Sequence, residues 1–103
     1  MFTLNILTPE KKLLTDQEIE EVIVPGFRGQ LDVLPGHAPL LTTLNAGALR
    51  YRLKGATDYQ LVAVSWGYME VHPGGVVVLA ETAETPEEID RARADLSKKR
   101  NHS

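Results

Sequence analysis

Three histidines are the side chains best suited to chemistry in this 103-residue chain, but their spacing gives them no common site. His37 lies in a proline- and glycine-rich segment, His72 precedes a turn, and His102 is next to the last residue. No two of them stand at a helical or hairpin spacing that would bind a metal ion, and the chain has no cysteine to add a ligand. We therefore expect no metal site.

The serines, glycines and carboxylates form no recognisable catalytic motif. Ser65 in "VSWG" lacks the preceding glycine that a nucleophile elbow requires. The segment "GFRGQ" has two glycines but no following Lys-Ser/Thr pair, so it does not match a phosphate-binding loop. The acids of "DQEIEE" are interpreted as a solvated face. The sequence predicts no catalytic residue.

The composition excludes further classes of function. Eleven basic and fourteen acidic residues give a net charge of −3, which argues against binding nucleic acid through its phosphates. The first residues lack the basic flank and long apolar stretch of a signal peptide. No apolar run approaches the ~20 residues that span a bilayer, so we expect a cytoplasmic protein that meets a membrane only through partners.

The elements that would position any functional residue are short strands. Up to about Glu84, short apolar runs are separated by turn signals such as "PGFRG", "LPGHAP" and "HPGG". This pattern indicates a β-sandwich or barrel. The runs "EVIVPG", "YQLVAVSW" and "GGVVVLAE" are apolar throughout, which is typical of central strands or strands covered on both faces. On this basis Trp66 is assigned to the core.

Three cations share one face of a predicted strand, because Arg50, Arg52 and Lys54 alternate with apolar residues. They could form a patch for an acidic partner. We favour the alternative that they protect an edge strand from unwanted pairing.

A helix is predicted from Thr85 onward. Thr85 is a candidate N-cap, Pro86 occupies the first helical position, and Glu88 stands at the spacing of a capping box. The apolar stripe of this helix is thin, so it needs a partner surface. We divide the chain into a β-sandwich domain, 1–84, and a helical segment, 85–103.

The segment "GQLDVLPGHAPLLTTLNAGALR" resembles the signature of the epsilon subunit of F-type ATP synthases. "VSWGYMEVHPGGVVVLAETAE" looks like the closing strands of that family, and "EEIDRARA" like the start of its C-terminal helical domain. The resemblance covers nearly the whole chain. It departs from the family pattern at Gln30, where an acidic residue is frequent, at Trp66, where glycine is common, and at Ala46, where proline is usual.

The resemblance implies a ten-stranded N-terminal β-sandwich followed by a C-terminal helical hairpin, of which this sequence would hold one helix. It implies a non-catalytic rotor subunit that joins the gamma subunit to the polar loops of the membrane c-ring and couples proton flow to ATP synthesis. Such a subunit would be peripheral, on the cytoplasmic face of a bacterial inner membrane or on the stromal side of a thylakoid. The residues expected to contact gamma or the ring are Gln30, Leu31, Asp32, His37, Ala38, Pro39, Leu40, Leu41 and Thr42.

The C-terminal helix carries the remaining expectations. The family's ATP-binding pattern is matched by Ile89, Asp90, Arg93 and Ala94, so ATP is expected at most as a weak regulatory ligand; no other cofactor is expected. An ordinary solvated helix face is the favoured interpretation of these residues. The helix could reach the alpha/beta catalytic head, but inhibition of ATP hydrolysis should be weakened without a second helix.

Two other functions remain open at this point. The first is an ATP-sensing regulator that uses the C-terminal helix, and silence at millimolar ATP would exclude it. The second is a small β-barrel metalloenzyme, which elemental analysis of the purified protein would test.

Overall fold

A computed structural model describes residues 1–91 of the protein, which form nine strands and the beginning of one helix. The mainly β architecture predicted from the turn pattern is confirmed. The strands are β1 (Thr3–Leu7), β2 (Lys12–Gly26), β3 (Gly29–Val33), β4 (Leu40–Leu44), β5 (Gly47–Leu53), β6 (Tyr59–Val64), β7 (Gly67–His72), β8 (Gly75–Ala80) and β9 (Ala83–Glu84).

Strand β2 is long enough to take part in both layers of the sandwich. Its first half pairs antiparallel with β1, from Lys12 to Glu18, and its second half pairs with β3 and β5. The described residues form nine strands, one fewer than the ten that the resemblance implies, because residues 12–26 run as one continuous strand. A register shift in the β1–β2 ladder and a positive φ of 49° at Asp16 mark the irregular part of the first half.

Two sheets follow from this pairing. Sheet I runs from the first half of β2 through β1, β8 and β7 to β4, and β1 and β8 are its only parallel pair among the described residues. Sheet II runs from β3 through the second half of β2, β5 and β6 to β9. The two sheets are continuous through β2, which also pairs with β4 where Gly26 lies opposite Leu44.

The core between the sheets is almost purely aliphatic. Alternate residues of each strand point inward because side chains alternate across a pleated strand. The largest side chains that are fully buried there are Leu4, Ile6, Val22, Val24, Val33, Leu49, Val62, Met69, Val71, Val76 and Val78. No buried side-chain nitrogen or oxygen lacks a hydrogen-bond partner within the described part of the chain.

Strand β5 is not an edge strand, so the favoured interpretation of its cations was wrong. It lies between β2 and β6 and forms a ladder with each. Arg52 pairs with Glu20 at 2.7 Å and Lys54 pairs with Glu18 at 3.6 Å, so these two cations form ion pairs with acids of the neighbouring strand β2. Local sequence could not reveal this, because the two strands are brought together by long-range pairing.

The helix begins as predicted, and residues 86–91 are its described part, here called α1. The Glu88 N–H donates to Thr85 Oγ1 at 3.3 Å, and the Thr85 N–H donates to Glu88 Oε1 at 3.2 Å, which completes the capping box. The same carboxylate accepts from Lys11 Nζ at 2.6 Å, so the first turn is tied to the β1–β2 turn. None of the helical residues up to position 91 forms a segment long and apolar enough to cross a membrane.

Candidate docking surface

The proline-rich loop between β3 and β4, residues 34–39, is an exposed turn. Its bend is closed by the His37 N–H, which donates to the Leu34 carbonyl at 3.1 Å, and Gly36 supplies the positive φ of 89° that the bend requires. The His37 ring is half-buried, and its Nδ1 lies 2.8 Å from the carbonyl oxygen of the next residue, Ala38. The loop is therefore held in one shape by local contacts.

The other residues expected at the site flank this loop on two different strands. Gln30, Leu31 and Asp32 lie on β3, which pairs with β2, whereas Leu40, Leu41 and Thr42 lie on β4, which pairs with β7 and, at Leu44, with β2. The structure does not merge them into one cluster. Leu31 and Leu40 pack against the core, and only Leu41 presents a large apolar side chain to solvent, with 71% of its surface exposed.

Leu41 is one member of an apolar face that extends across sheet I. Opposite neighbours in the ladders give two rows: Thr43, Tyr68, Leu79 and Leu7 form the first, and Leu41, Glu70, Val77 and Asn5 form the second. Tyr68 and Leu79 are 57% and 45% exposed. We name this surface the docking face and define it by Leu41, Trp66, Tyr68, Glu70, Val77 and Leu79.

The assignment of Trp66 to the core was wrong, because its side chain is 59% exposed. Period-two alternation explains the error: Trp66 and Tyr68 share the parity of the charged Glu70, whereas Met69 and Val71 of the same strand are buried. That parity was readable in "SWGYMEV", and it would have placed the two aromatic residues on the outer face.

A groove of about 580 Å³ forms the end of the docking face beyond Trp66. Its apolar lining includes Leu7, Pro9, Trp66, Tyr68 and Leu79, and Glu81 closes one side. Gly67 lets strands β7 and β8 approach closely beneath it, because a Cβ at this position would lie 1.9 Å from the Leu79 carbonyl oxygen.

The valine-rich strands give independent support for a covered surface. Strand β8 was expected to be a central strand or one covered on both faces, and it is central, because it pairs with β1 on one side and with β7 on the other. Within the described chain its inner face is covered by the core. Val77 is half-buried and Leu79 is exposed on the outer face. Contiguous exposed apolar surface of this kind typically marks an interaction site.

Two of the acids predicted to form a solvated face, Glu20 and Glu21, instead join a network on sheet II, and Glu21 is only 8% exposed. Asp16 is exposed, as predicted. Tyr59 donates a short hydrogen bond to the Glu21 carboxylate, and Arg52 lies 3.6 Å from it. The Tyr59 hydroxyl, more than the arginine, holds the pKa of Glu21 below its usual value. A hydrogen bond with Glu21 raises the pKa of Asp32 on β3. This network ties β2, β3, β5 and β6 together.

Replacing Glu21 with glutamine is expected to cost about 1–2 kcal/mol of unfolding free energy at pH 7, because the charged acceptor of two partners is lost. The folded-state pKa of Glu21 is depressed, so its contribution is present above the unfolded value of 4.5 and is lost as the pH falls through the folded value. The difference between wild type and Glu21→Gln should therefore shrink below about pH 4.5. Urea unfolding at pH 7 and pH 4 measures it.

Glu84→Gln on β9 is the matched control for that experiment, since Glu84 is an exposed strand carboxylate on the same sheet. The raised pKa of Asp32 acts in the opposite direction, because its contribution is present at low pH and is lost as the pH rises through its folded value. A Glu21→Gln difference that stayed constant or grew toward acid pH would show that the carboxylate is not held in its charged form.

The residues of the ATP pattern are only partly described. Ile89 and Asp90 lie in α1, whereas Arg93 and Ala94 lie outside the described residues. ATP binding therefore stays a prediction.

The described surface is suited to contact with another macromolecule. Among residues 1–91, no group of three or more His, Asp or Glu side chains could hold a metal ion. The described residues form a β-sandwich with an apolar outer face. Beside this face lies a loop that is held by its own hydrogen bonds.

Comparison with known proteins identifies the family. A family model described as "ATP synthase, Delta/Epsilon chain, beta-sandwich domain" matches residues 1–86. The chain is 54% identical over 87 residues to the ATP synthase epsilon chain of Bdellovibrio bacteriovorus, covering 84% of this chain and 62% of that protein. It is 50% identical over 99 residues to the epsilon chain of Koribacter versatilis, covering 96% of this chain and 68% of that one.

Solved structures show the same fold. A chain of the Euglena gracilis mitochondrial ATP synthase (OSCP/F1/c-ring) superposes with a TM-score of 0.80 at 22% identity, covering 93% of this chain and 60% of that one. A chain from the central stalk/c-ring structure of the Tetrahymena thermophila enzyme gives a TM-score of 0.68 at 17% identity, covering 85% and 69%. The sequence spans about two thirds of the length of its curated relatives. On the match to residues 1–86 and on identities of about 50%, the chain belongs to the ATP synthase delta/epsilon family and carries its β-sandwich domain.

Proposed function

We propose that this protein is a non-catalytic subunit of the rotor of an F-type ATP synthase, which joins the gamma subunit to the c-ring and couples proton translocation to ATP synthesis. Family membership supports the assignment to an epsilon-type chain. The single structural observation that carries the mechanical role is the docking face, an exposed apolar surface on a rigid sheet.

In this proposal two surfaces of the protein bind two different partners. The docking face of sheet I takes the gamma subunit, because it offers aromatic and aliphatic side chains of the type that dominate binding energy at interfaces. The loop of residues 34–39, at the start of β4, takes the polar loops of the c-ring. The prolines of this loop limit the freedom that it can lose on binding.

Torque can pass between the loop and the docking face because strand β4 begins where the loop ends and carries Leu41 of the docking face. Leu40–Leu44 begins at the end of the loop and forms a complete ladder with β7, from Leu40 opposite Val71 to Leu44 opposite Gly67. A push on the loop is therefore transmitted through backbone hydrogen bonds to the strand that carries Tyr68 and Glu70. Through these partners the protein would lie peripherally at the coupling membrane, on the side that holds the catalytic head.

Co-purification with the gamma subunit from the same source tests this proposal. We expect the wild-type chain to form a stable one-to-one complex with gamma, and the gamma complex to be retained by c-rings in detergent. A chain that binds neither partner would contradict the assignment. Retention by gamma without any contribution of the protein to c-ring attachment would remove the coupling role.

A further inference from the structure

Glu70 is the one charged residue among the six that define the docking face, whereas Glu81 lines the groove at the far end of that face. Glu70 lies between apolar neighbours. Its ladder partners are Leu41 on β4 and Val77 on β8, and Tyr68 stands two residues before it on the same face. Leu41 and Tyr68 are among the most exposed large apolar residues of the described chain. Glu70 thus stands between the two apolar side chains of its row, with Tyr68 before it and His72 after it on the same side of β7.

The fold supplies no partner for this carboxylate. Among residues 1–91, no lysine, arginine or histidine nitrogen lies within 4.0 Å of it, although four other ion pairs are formed elsewhere on the surface. His72, the next residue on the same side of β7, is directed to the turn instead, since its Nδ1 accepts from the Gly74 N–H at 3.2 Å. In the free protein the side chain of Glu70 is exposed to solvent.

Binding of a partner to the docking face would change the surroundings of the Glu70 carboxylate. A partner that covers both Leu41 and Val77 must also cover Glu70, because Glu70 stands between them in the second row of the docking face. Burying an unpaired carboxylate costs a large free energy, whereas a cation placed against it with good geometry offsets much of that cost. An apolar partner surface without a matching charge would therefore be rejected.

We propose that Glu70 selects the partner of the docking face by pairing with a lysine or arginine that the partner presents within an otherwise apolar contact. This inference rests on the proposed function, in which that partner is the gamma subunit. It names the chemistry of the surface that gamma must offer: apolar side chains opposite Leu41, Tyr68 and Leu79, and one cation between them. The pairing gives the contact its register, because a shift along β7 would place the cation against Tyr68 or His72, the outward-facing neighbours of Glu70.

The test compares the affinity of purified gamma for wild type, Glu70→Gln and Glu84→Gln by calorimetry. Glu70→Gln is expected to weaken binding by at least about 30-fold, since it leaves the cation of the partner buried without its counter-charge. Glu84→Gln removes the same charge from an exposed strand position on sheet II and should change the affinity by less than about twofold. Both variants should keep the wild-type unfolding midpoint.

Each outcome decides between the claims. If wild type binds gamma and Glu70→Gln binds it with equal or higher affinity, the selecting role of Glu70 is overturned. The proposed function then still stands. Equal weakening by Glu70→Gln and Glu84→Gln would show a general effect of net charge, which also overturns it. Failure of wild type to bind gamma would instead contradict the proposed function.

Discussion

The double variant Leu41→Asp, Tyr68→Asp is expected to lose at least about 100-fold in affinity for the gamma subunit while it keeps its fold. Both side chains point outward from sheet I and are 71% and 57% exposed, so their replacement removes little of the core. In the complex, however, each aspartate would place an unpaired carboxylate in a desolvated contact. Central aromatic and aliphatic anchors commonly contribute 2 kcal/mol or more each, which is the origin of the expected loss.

A matched variant separates the docking effect from the general effect of a new charge. Leu61→Asp introduces the same residue at a leucine that is 39% exposed on the outer face of sheet II. It should bind gamma with nearly the wild-type affinity. Loss of binding by Leu61→Asp with retention by the double variant would move the gamma contact to sheet II and refute the docking face.

Gly67→Ala is the second change for which we expect a large effect, a loss of about 3 kcal/mol or more of unfolding free energy. The added Cβ would lie 1.9 Å from the Leu79 carbonyl oxygen and 2.8 Å from the Ala80 Cα. Both obstacles are backbone atoms of a paired strand, so relief requires β7 and β8 to separate where Gly67 pairs with Ala80. Domains of this size are stable by about 5–15 kcal/mol, so the loss would be a large share of the total.

Gly74→Ala provides the control for this measurement by denaturant unfolding. A Cβ at Gly74 meets only the His72 ring, at 3.4 Å, which is ordinary contact with a movable side chain. Its unfolding free energy should stay within about 1 kcal/mol of wild type. A Gly67→Ala protein as stable as Gly74→Ala would show that the two strands are not as close as described.

The local features of the fold were predictable because they depend on neighbouring residues. The capping box of Thr85 and Glu88 forms with the expected reciprocal hydrogen bonds. The "LPGHAP" segment is a surface turn, and the dense turn signals placed the chain in the mainly β class. Each of these follows from backbone chemistry over a few residues.

The features that were missed depend on which strands become neighbours. Arg52 was expected at an edge, but β5 pairs with β2, whose Glu20 and Glu21 take up its charge. Glu21 was expected in water for the same reason, since neither residue indicates its partner locally. The exposure of Trp66 was missed because the apolar character of its segment was given more weight than the alternation that puts Trp66, Tyr68 and Glu70 on one face.

The sequence located part of the candidate site. Leu41 was named among the contact residues, whereas the larger part of the docking face, Trp66, Tyr68 and Leu79, was not. These residues join Leu41 only because β4, β7 and β8 lie side by side in sheet I.

The most direct test of the account is the protection of a single introduced thiol by the gamma subunit. The chain has no cysteine, so Leu79→Cys and Leu61→Cys each carry one alkylation site, on the outer faces of sheets I and II. The account predicts that saturating gamma slows alkylation at position 79 by at least about tenfold and leaves position 61 unchanged. Protection at position 61 with free reaction at position 79 would contradict it.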